Sequence, residues 1–115
     1  MTSGNAYTNS IHDEYFVVEN ERSEIIGCGG FYVIEESREA RLAWGMIDSK
    51  HHKTGVGTLL FNHRIHVIKQ NWKDYQITLG TSQHTYLFYE RQGMKVVDFV
   101  PNGYGQSLDR YDMEL

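Results

Sequence analysis

The sequence predicts a mixed α/β domain of the α+β kind, with a mostly antiparallel sheet, two helices and the order β-β-β-α-β-α-β-β. Three observations carry that prediction. Short β-rich runs with alternating apolar positions precede residue 48 and recur after residue 94. One longer stretch, from Val56 to Trp72, repeats its apolar residues at helical spacing. The turns between the first three runs are too short for a helical crossover, so those strands form an antiparallel meander.

Taken in order, residues 1–12 are polar and without a period, and read as a loose tail ahead of one domain over 13–115. The first strand centres on Tyr15-Phe16-Val17-Val18-Glu19. The second opens at Ile25-Ile26 and resumes at Phe31-Tyr32-Val33-Ile34. Between these sits Gly27-Cys28-Gly29-Gly30, where missing side chains predict a bulge or a close backbone approach. The third strand, Ala40 to Asp48, places Leu42, Trp44 and Met46 on one face. A helix of about four turns then carries Val56 to Trp72. A strand follows at Gln76–Gly80, then a second helix from about Gln83 to Gln92, stopped by Gly93. Met94–Val100 is a strand ended by Pro101. Asn102-Gly103-Tyr104-Gly105 is a loop, and Arg110–Leu115 alternates as the final strand.

Composition narrows the function. The chain has 115 residues, 40% of them hydrophobic, with 8 Tyr, 5 Phe and 2 Trp, enough for one packed core. No apolar run approaches the roughly 18 residues needed to span a bilayer, and the first ten residues lack the basic and apolar regions of a signal peptide. A cytoplasmic location is expected, without membrane association. Cys28 is the sole cysteine, so no intrachain disulfide forms. The formal net charge of −4 argues against nucleic acid as a partner and leans toward cationic substrates.

The chemistry-bearing segment is Ser49-Lys50-His51-His52-Lys53-Thr54-Gly55-Val56-Gly57, a polar loop between a strand and a helix. The first turn of a helix has unpaired N–H groups and the positive end of the macrodipole. Glycines there let backbone approach phosphate oxygens without a Cβ in the way. There is no Gly-Lys-Ser/Thr for a P-loop and no third glycine for a dinucleotide fingerprint. Read by itself, the loop fits a tight strand-to-helix turn as well as an anion site.

Two motifs together resemble those of GNAT N-acyltransferases. That family carries Arg/Gln-x-x-Gly-x-Gly/Ala between a strand and a helix. Here it reads His52-Lys53-Thr54-Gly55-Val56-Gly57, followed by Thr58-Leu59-Leu60 and preceded by Trp44-Gly45-Met46-Ile47-Asp48. His52 departs from the usual Arg or Gln but can still donate to phosphate. The second signature, Phe/Leu-Tyr-x-Lys/Arg-x-Gly-Phe, reads Phe88-Tyr89-Glu90-Arg91-Gln92-Gly93-Met94. The resemblance covers roughly residues 13–115.

What the resemblance implies is an N-acetyltransferase that moves an acetyl group from acetyl-CoA to a primary amine of a small molecule or peptide, with no metal. Acetyl-CoA would lie where two neighbouring parallel strands splay apart, here Arg41–Asp48 and Gln76–Gly80. The backbone of Met46, Ile47 and Asp48 would pair with the pantetheine amides, with an N–H near Ile47 as oxyanion donor. His52 and the N–H groups of Lys53, Thr54, Gly55, Val56, Gly57 and Thr58 would hold the pyrophosphate. Gln83 stands where the family often has an Asn touching the pantetheine arm. Tyr89 matches the tyrosine that serves as acid to the departing thiolate; a phenol keeps its proton at neutral pH and can release it to a more basic group. A tyrosine packed beside Phe88 in the core is the plain alternative. The strand before the loop lacks the carboxylate that many members use as base. Glu19, Asp48 and His84 are the candidates, and none is assigned.

Other residues carry weaker signals. His51-His52 lacks a third metal ligand. Cys28 reads as a buried structural thiol, and Tyr104 as either a loop aromatic or a surface turn. Typical members begin with a strand and two helices that wall the acceptor site, whereas only twelve residues precede Asp13, so the resemblance is to a short form. The alternative function is accordingly a catalytically incomplete CoA-binding module that needs a partner chain. A further one, a phosphate- or nucleotide-binding domain, requires both motif matches to be accidental. Finally, Val56, Leu59, Leu60 and Val67 read as one apolar stripe of the first helix, with Phe61, Ile65, Ile68 and Trp72 as a second. Two stripes call for two covers, which predicts a homodimer.

Overall fold

The computed structural model describes residues 11–47 and 54–115. Strands β1 (Ile11–Glu19), β2 (Ile25–Ile34) and β3 (Glu39–Ile47) precede helix α1 (Val56–Asn71). Then come β4 (Gln76–Thr81), α2 (Tyr86–Arg91), β5 (Lys95–Gly105) and β6 (Leu108–Glu114). The order is the one the sequence predicts. The chain packs as two compact units, one ending at Tyr75 and the other spanning Gln76–Leu115.

In the first unit β2 pairs antiparallel with β1 on one side and with β3 on the other. The β1–β2 turn is fixed by Asn20, whose side-chain oxygen accepts the N–H of Arg22 at 2.9 Å and of Glu24 at 3.0 Å. Such local bonding is the reason Asn favours turns. Strand β1 begins earlier than its densest apolar run suggests: Ile11 and His12 already pair with Ile34 and Val33.

The sheet has two distinct faces. Phe16, Phe31, Val33, Ala40 and Leu42 are buried. A Cβ built on Gly29 would meet Leu60 and Arg64, so this is the face that α1 covers. On Gly30, one residue on, a Cβ would land on the Glu14 carbonyl. The expected close backbone approach is therefore real, and it lies against β1.

The bulge falls at the glycine run, but its extra residue is on the facing strand. Cys28 pairs with Met46 and Gly30 with Ala43, so the extra residue belongs to β3, at Trp44-Gly45. Trp44 takes a φ of 59°. This corrects the expected face of β3. Leu42 is buried, but Trp44 is 50% and Met46 71% exposed, because one inserted residue shifts the two-residue alternation.

Helix α1 also differs from expectation. Val56, Leu60, Phe61, Arg64 and Ile68 are buried, and Leu59 is exposed. Each four-residue step advances only about 40°, so Val56, Leu60, Arg64, Ile68 and Trp72 form one continuous arc rather than two stripes. Phe31 meets Trp72 edge-on at 5.6 Å, and the Phe16 ring lies 4.8 Å from His63. The arc is covered by β1–β3 of its own unit, which removes the observation on which the homodimer expectation rested.

In the second unit β6 pairs antiparallel with both β4 and β5. Met113, buried, stands opposite Leu79 on one side and Val96 on the other. Helix α2 is shorter than predicted. The Tyr86 N–H bonds the Ser82 carbonyl at 3.1 Å, and the Thr81 and Thr85 hydroxyls bond each other, so residues 82–85 form a turn. Gly93, with φ 104°, follows the helix as expected. The predicted loop at 102–105 is instead part of β5. A register shift between Val100 and Gly105 takes Pro101 out of the regular ladder, where its missing N–H costs nothing.

Candidate functional site

The start of α1 is a helix N-terminus that no described side chain caps. Gly55 occupies the N-cap with φ 88° and ψ −3°, a left-handed conformation that favours glycine. Among the described residues no side chain caps the helix, and its first turn holds no acidic residue. Among the described residues, nothing lies within 4 Å of where a Gly55 Cβ would stand. The first helical bond runs from the Leu59 N–H to the Gly55 carbonyl, at 2.9 Å. Most helices fill this position with Ser, Thr, Asp or Asn, which satisfy donors internally. The positive end of the dipole of a 16-residue helix lies here. An anion such as a pyrophosphate fits those features. Val56 is buried and anchors the turn, while Gly57 and Thr58 are half-buried. Asp48, His52 and Lys53 lie outside the described residues.

Strand β3 leads toward this loop. Met46 and Ile47 pair with Cys28 and Gly27 across β2, just beyond the bulge. Met46 is exposed and Ile47 half-buried; the Ile47 Cδ1 would lie 2.9 Å from a Cβ on Gly27.

The second unit holds the other two candidates. Tyr89 is half-buried on α2, edge-on to Phe88 at 5.1 Å, and its carbonyl accepts the N–H of Met94 at 3.1 Å. Gln83 precedes the helix rather than starting it. Its amide nitrogen donates to the Ser107 carbonyl at 2.8 Å, and its amide oxygen accepts the Asp109 N–H at 2.9 Å. Both ends of that amide brace the β5–β6 hairpin. Of the candidate bases, Glu19 and His84 are exposed.

The sequence reading missed two features. Arg64 is only 2% exposed at the centre of the α1 arc. It donates from Nη1 to the Gly30 carbonyl at 3.2 Å, while its buried Nε has no hydrogen-bond partner. The available signal was its spacing, four residues from both Leu60 and Ile68. The second feature is an aromatic trio on the sheet face away from α1. The Trp44 ring stands 6.4 Å from Tyr15 and 5.9 Å from Tyr32. Cys28, expected to be buried, is half-exposed on this face. Its thiol lies 3.9 Å from the Trp44 carbonyl and is hydrogen-bonded to the Tyr15 phenol, a contact that raises the Tyr15 pKa above its ordinary value.

No helix among the described residues is long and apolar enough to cross a membrane. No curated protein matches the chain. Solved structures do. An acetyltransferase from Bacillus cereus superposes with a TM-score of 0.78 at 19% identity, over 92% of this chain and 74% of its own. An aminoglycoside 6'-N-acetyltransferase complexed with coenzyme A gives 0.74 at 19%, over 92% and 72%. Mutant forms of the spermidine/spermine N-acetyltransferase SpeG from Vibrio cholerae give 0.76 at 19%, over 93% and 67%. These likenesses speak for the fold. The sequence pattern of the acetyltransferase (GNAT) domain matches residues 12–96, well over half of the chain, so the chain belongs to the GNAT acetyltransferase family.

Proposed function

We propose that the protein transfers an acetyl group from acetyl-CoA to a primary amine of a small-molecule or peptide acceptor. The observation that carries this reading is the beginning of α1: a left-handed Gly55, no acidic residue in the first turn and, among the described residues, no capping side chain and nothing within 4 Å of where a Gly55 Cβ would stand. Those features suit the pyrophosphate of coenzyme A, held by the backbone from Lys53 to Thr58 with help from His52. Met46, Ile47 and Asp48 offer main-chain groups to the pantetheine amides. Acetyl-CoA supplies the activated thioester. Tyr89 is assigned the acid by its place in the family motif. The roles assigned to Asp48, His52, Lys53 and Tyr89 rest on the motifs alone. Gln83 remains a candidate for the pantetheine arm only if its brace to Ser107 and Asp109 opens.

The acceptor class has two supports. The named neighbours act on aminoglycosides and on spermidine or spermine, molecules with several amino groups. The chain carries a net charge of −4, which attracts such cations. The test is a thermal melt with coenzyme A against ATP, followed by acetyl transfer to a panel of amines. Stabilisation by coenzyme A and turnover with a polyvalent amine are expected. Equal stabilisation by ATP would turn the reading into that of a general phosphate site. Stabilisation without turnover on any amine would leave a CoA-binding module that needs a partner chain.

A further inference from the structure

The outer face of β1–β3 carries an arrangement that the fold does not require. Trp44 has φ 59°, a left-handed conformation rare for a bulky side chain. It is also 50% exposed, although Trp has more to gain from burial than almost any residue. The bulge that turns it outward thus works against both backbone and solvent preferences. Features of that kind gather at ligand sites.

The neighbourhood is built around this ring. Gly30 lies beneath it, and a Cβ there would stand 3.1 Å from Trp44 Cε3. Tyr15 pairs directly with Gly30 across β1–β2, which puts the phenol on the same face. Tyr32 is two residues along β2, on that face again. Their rings are tilted 59° and 47° to the indole, so the three form a shallow trough rather than a flat stack. The Cys28 thiol, on the same face of β2, lies 3.9 Å from the Trp44 main-chain carbonyl and ties the bulge of β3 to β2.

We propose that this trough is a binding site for an organic cation, an alkylammonium group seated on the exposed face of Trp44 between Tyr15 and Tyr32. Ring faces carry the negative end of the aromatic quadrupole, and Trp is the strongest of the three. The chain's acidity acts in the same sense, with a formal charge of −4. Asp13 stands opposite Tyr32 in the β1–β2 register. The neighbouring cation, Arg41, stands opposite Tyr32 on β3 and is drawn to Glu39, 3.6 Å away. Trp44 is two residues before Met46. If the acyltransferase reading holds, the trough seats a charged group of the acceptor other than the amino group that reacts. That last step rests on the reading above; the cation site does not.

The experiment titrates choline, and separately its uncharged isostere dimethylbutanol, into the whole chain without acetyl-CoA at constant ionic strength. Binding is read by NMR from the Trp44 indole N–H signal in the native chain, and from the backbone N–H signals of residues 15 and 32 in every variant. Choline is expected to shift those signals saturably, and the isostere to bind about 2- to 30-fold more weakly, the range for a cation over an aromatic face. Trp44→Leu should weaken choline by a similar factor, and Trp44→Phe by less. If Trp44→Leu does not fold, Tyr32→Leu takes its place with the same expected direction. Equal binding of charged and neutral probes would overturn the proposal in favour of a plain apolar patch for a protein partner. No saturable shift, or undiminished binding in the Leu variants, would overturn it outright. A chain that binds choline but not coenzyme A keeps the cation site and loses the acyltransferase reading, and the converse result does the reverse.

Discussion

The two compact units use their polar groups in opposite ways. In the first, no described side chain caps the N-terminus of α1, and a strained Trp44 is turned to solvent. The second spends its polar groups internally. Gln83 bonds both Ser107 and Asp109, Asp109 also accepts the Asn102 N–H, and Asn102 accepts that of Ser107. Tyr86 and Tyr111 stack 4.1 Å apart and nearly parallel. A polar residue at a family position is thus weak grounds for a ligand contact when its bonds are already made. Uncapped backbone and exposed aromatics are stronger grounds, because the fold gains nothing from leaving them so.

Tyr89 is where this contrast would break most severely, since it assigns chemistry to the second unit. If Tyr89 is the acid, Tyr89→Phe lowers kcat by about 10²- to 10⁴-fold, the usual worth of a general acid. Coenzyme A affinity should stay nearly unchanged, because only a hydroxyl is lost. Steady-state kinetics with chemistry rate-limiting decides it. Unchanged kcat would make Tyr89 a packing partner of Phe88 and restore the contrast in full.

The next largest effect concerns the first unit. Gly57→Glu should abolish stabilisation by coenzyme A, which at a hundredfold excess over Kd is worth about 2.7 kcal/mol. The substitution separates binding from folding. A Glu in the first helical turn has better helix propensity than Gly and a favourable dipole interaction, so the apo protein should melt no earlier. Full retention of the ligand-induced shift in this variant would remove the pyrophosphate from α1.

Gln83→Met tests the brace. It removes two hydrogen bonds and leaves the Ser107 carbonyl and the Asp109 N–H without that partner, a loss of about 1–3 kcal/mol of stability. Coenzyme A affinity should be unchanged once the folded fraction is accounted for. A weakened affinity with unaltered stability would return Gln83 to the pantetheine arm.

The element order was legible because period two and period 3.6 leave different marks, and both motifs sit on the elements the pattern predicts. Gly93 was legible because few other residues follow a helix in a left-handed conformation. Trp44 was not, because the face of a residue beyond a bulge depends on pairing with β2, which no local window contains. Arg64 was not, because a charged residue on a helix is normally placed outside; its burial follows from Gly29 on β2, where a Cβ would crowd the guanidinium, and from the Gly30 carbonyl that accepts its N–H. Pro101 looked like a strand end, yet the irregular register between Val100 and Gly105 lets β5 continue past it. Gln83 looked like a ligand contact, and only the hairpin it braces shows its other use.

The smallest expected effect lies in the Tyr86–Tyr111 pair and appears only in alkali. Burial of the Tyr111 phenol raises its pKa above the ordinary 10.0, and the negative charges that Tyr86 and Asp109 carry when ionised, with a hydrogen bond to Tyr86, act in the same direction. The proton is therefore held more tightly in the folded chain than in the unfolded one. Below pH 10 both states keep it, and the group's contribution to stability is fully present. Above pH 10 the unfolded chain releases it first, so stability falls with rising pH until the folded pKa is passed. Tyr111→Phe has no such proton to release. Its decline above about pH 10, read by denaturant melts, should be shallower than that of the native chain. The Tyr15 phenol, raised in the same direction through Cys28, is present in both proteins and cancels in the difference. Parallel declines in the two proteins would mean that Tyr111 titrates as it does in the unfolded chain, and that the stacked pair does not shelter it.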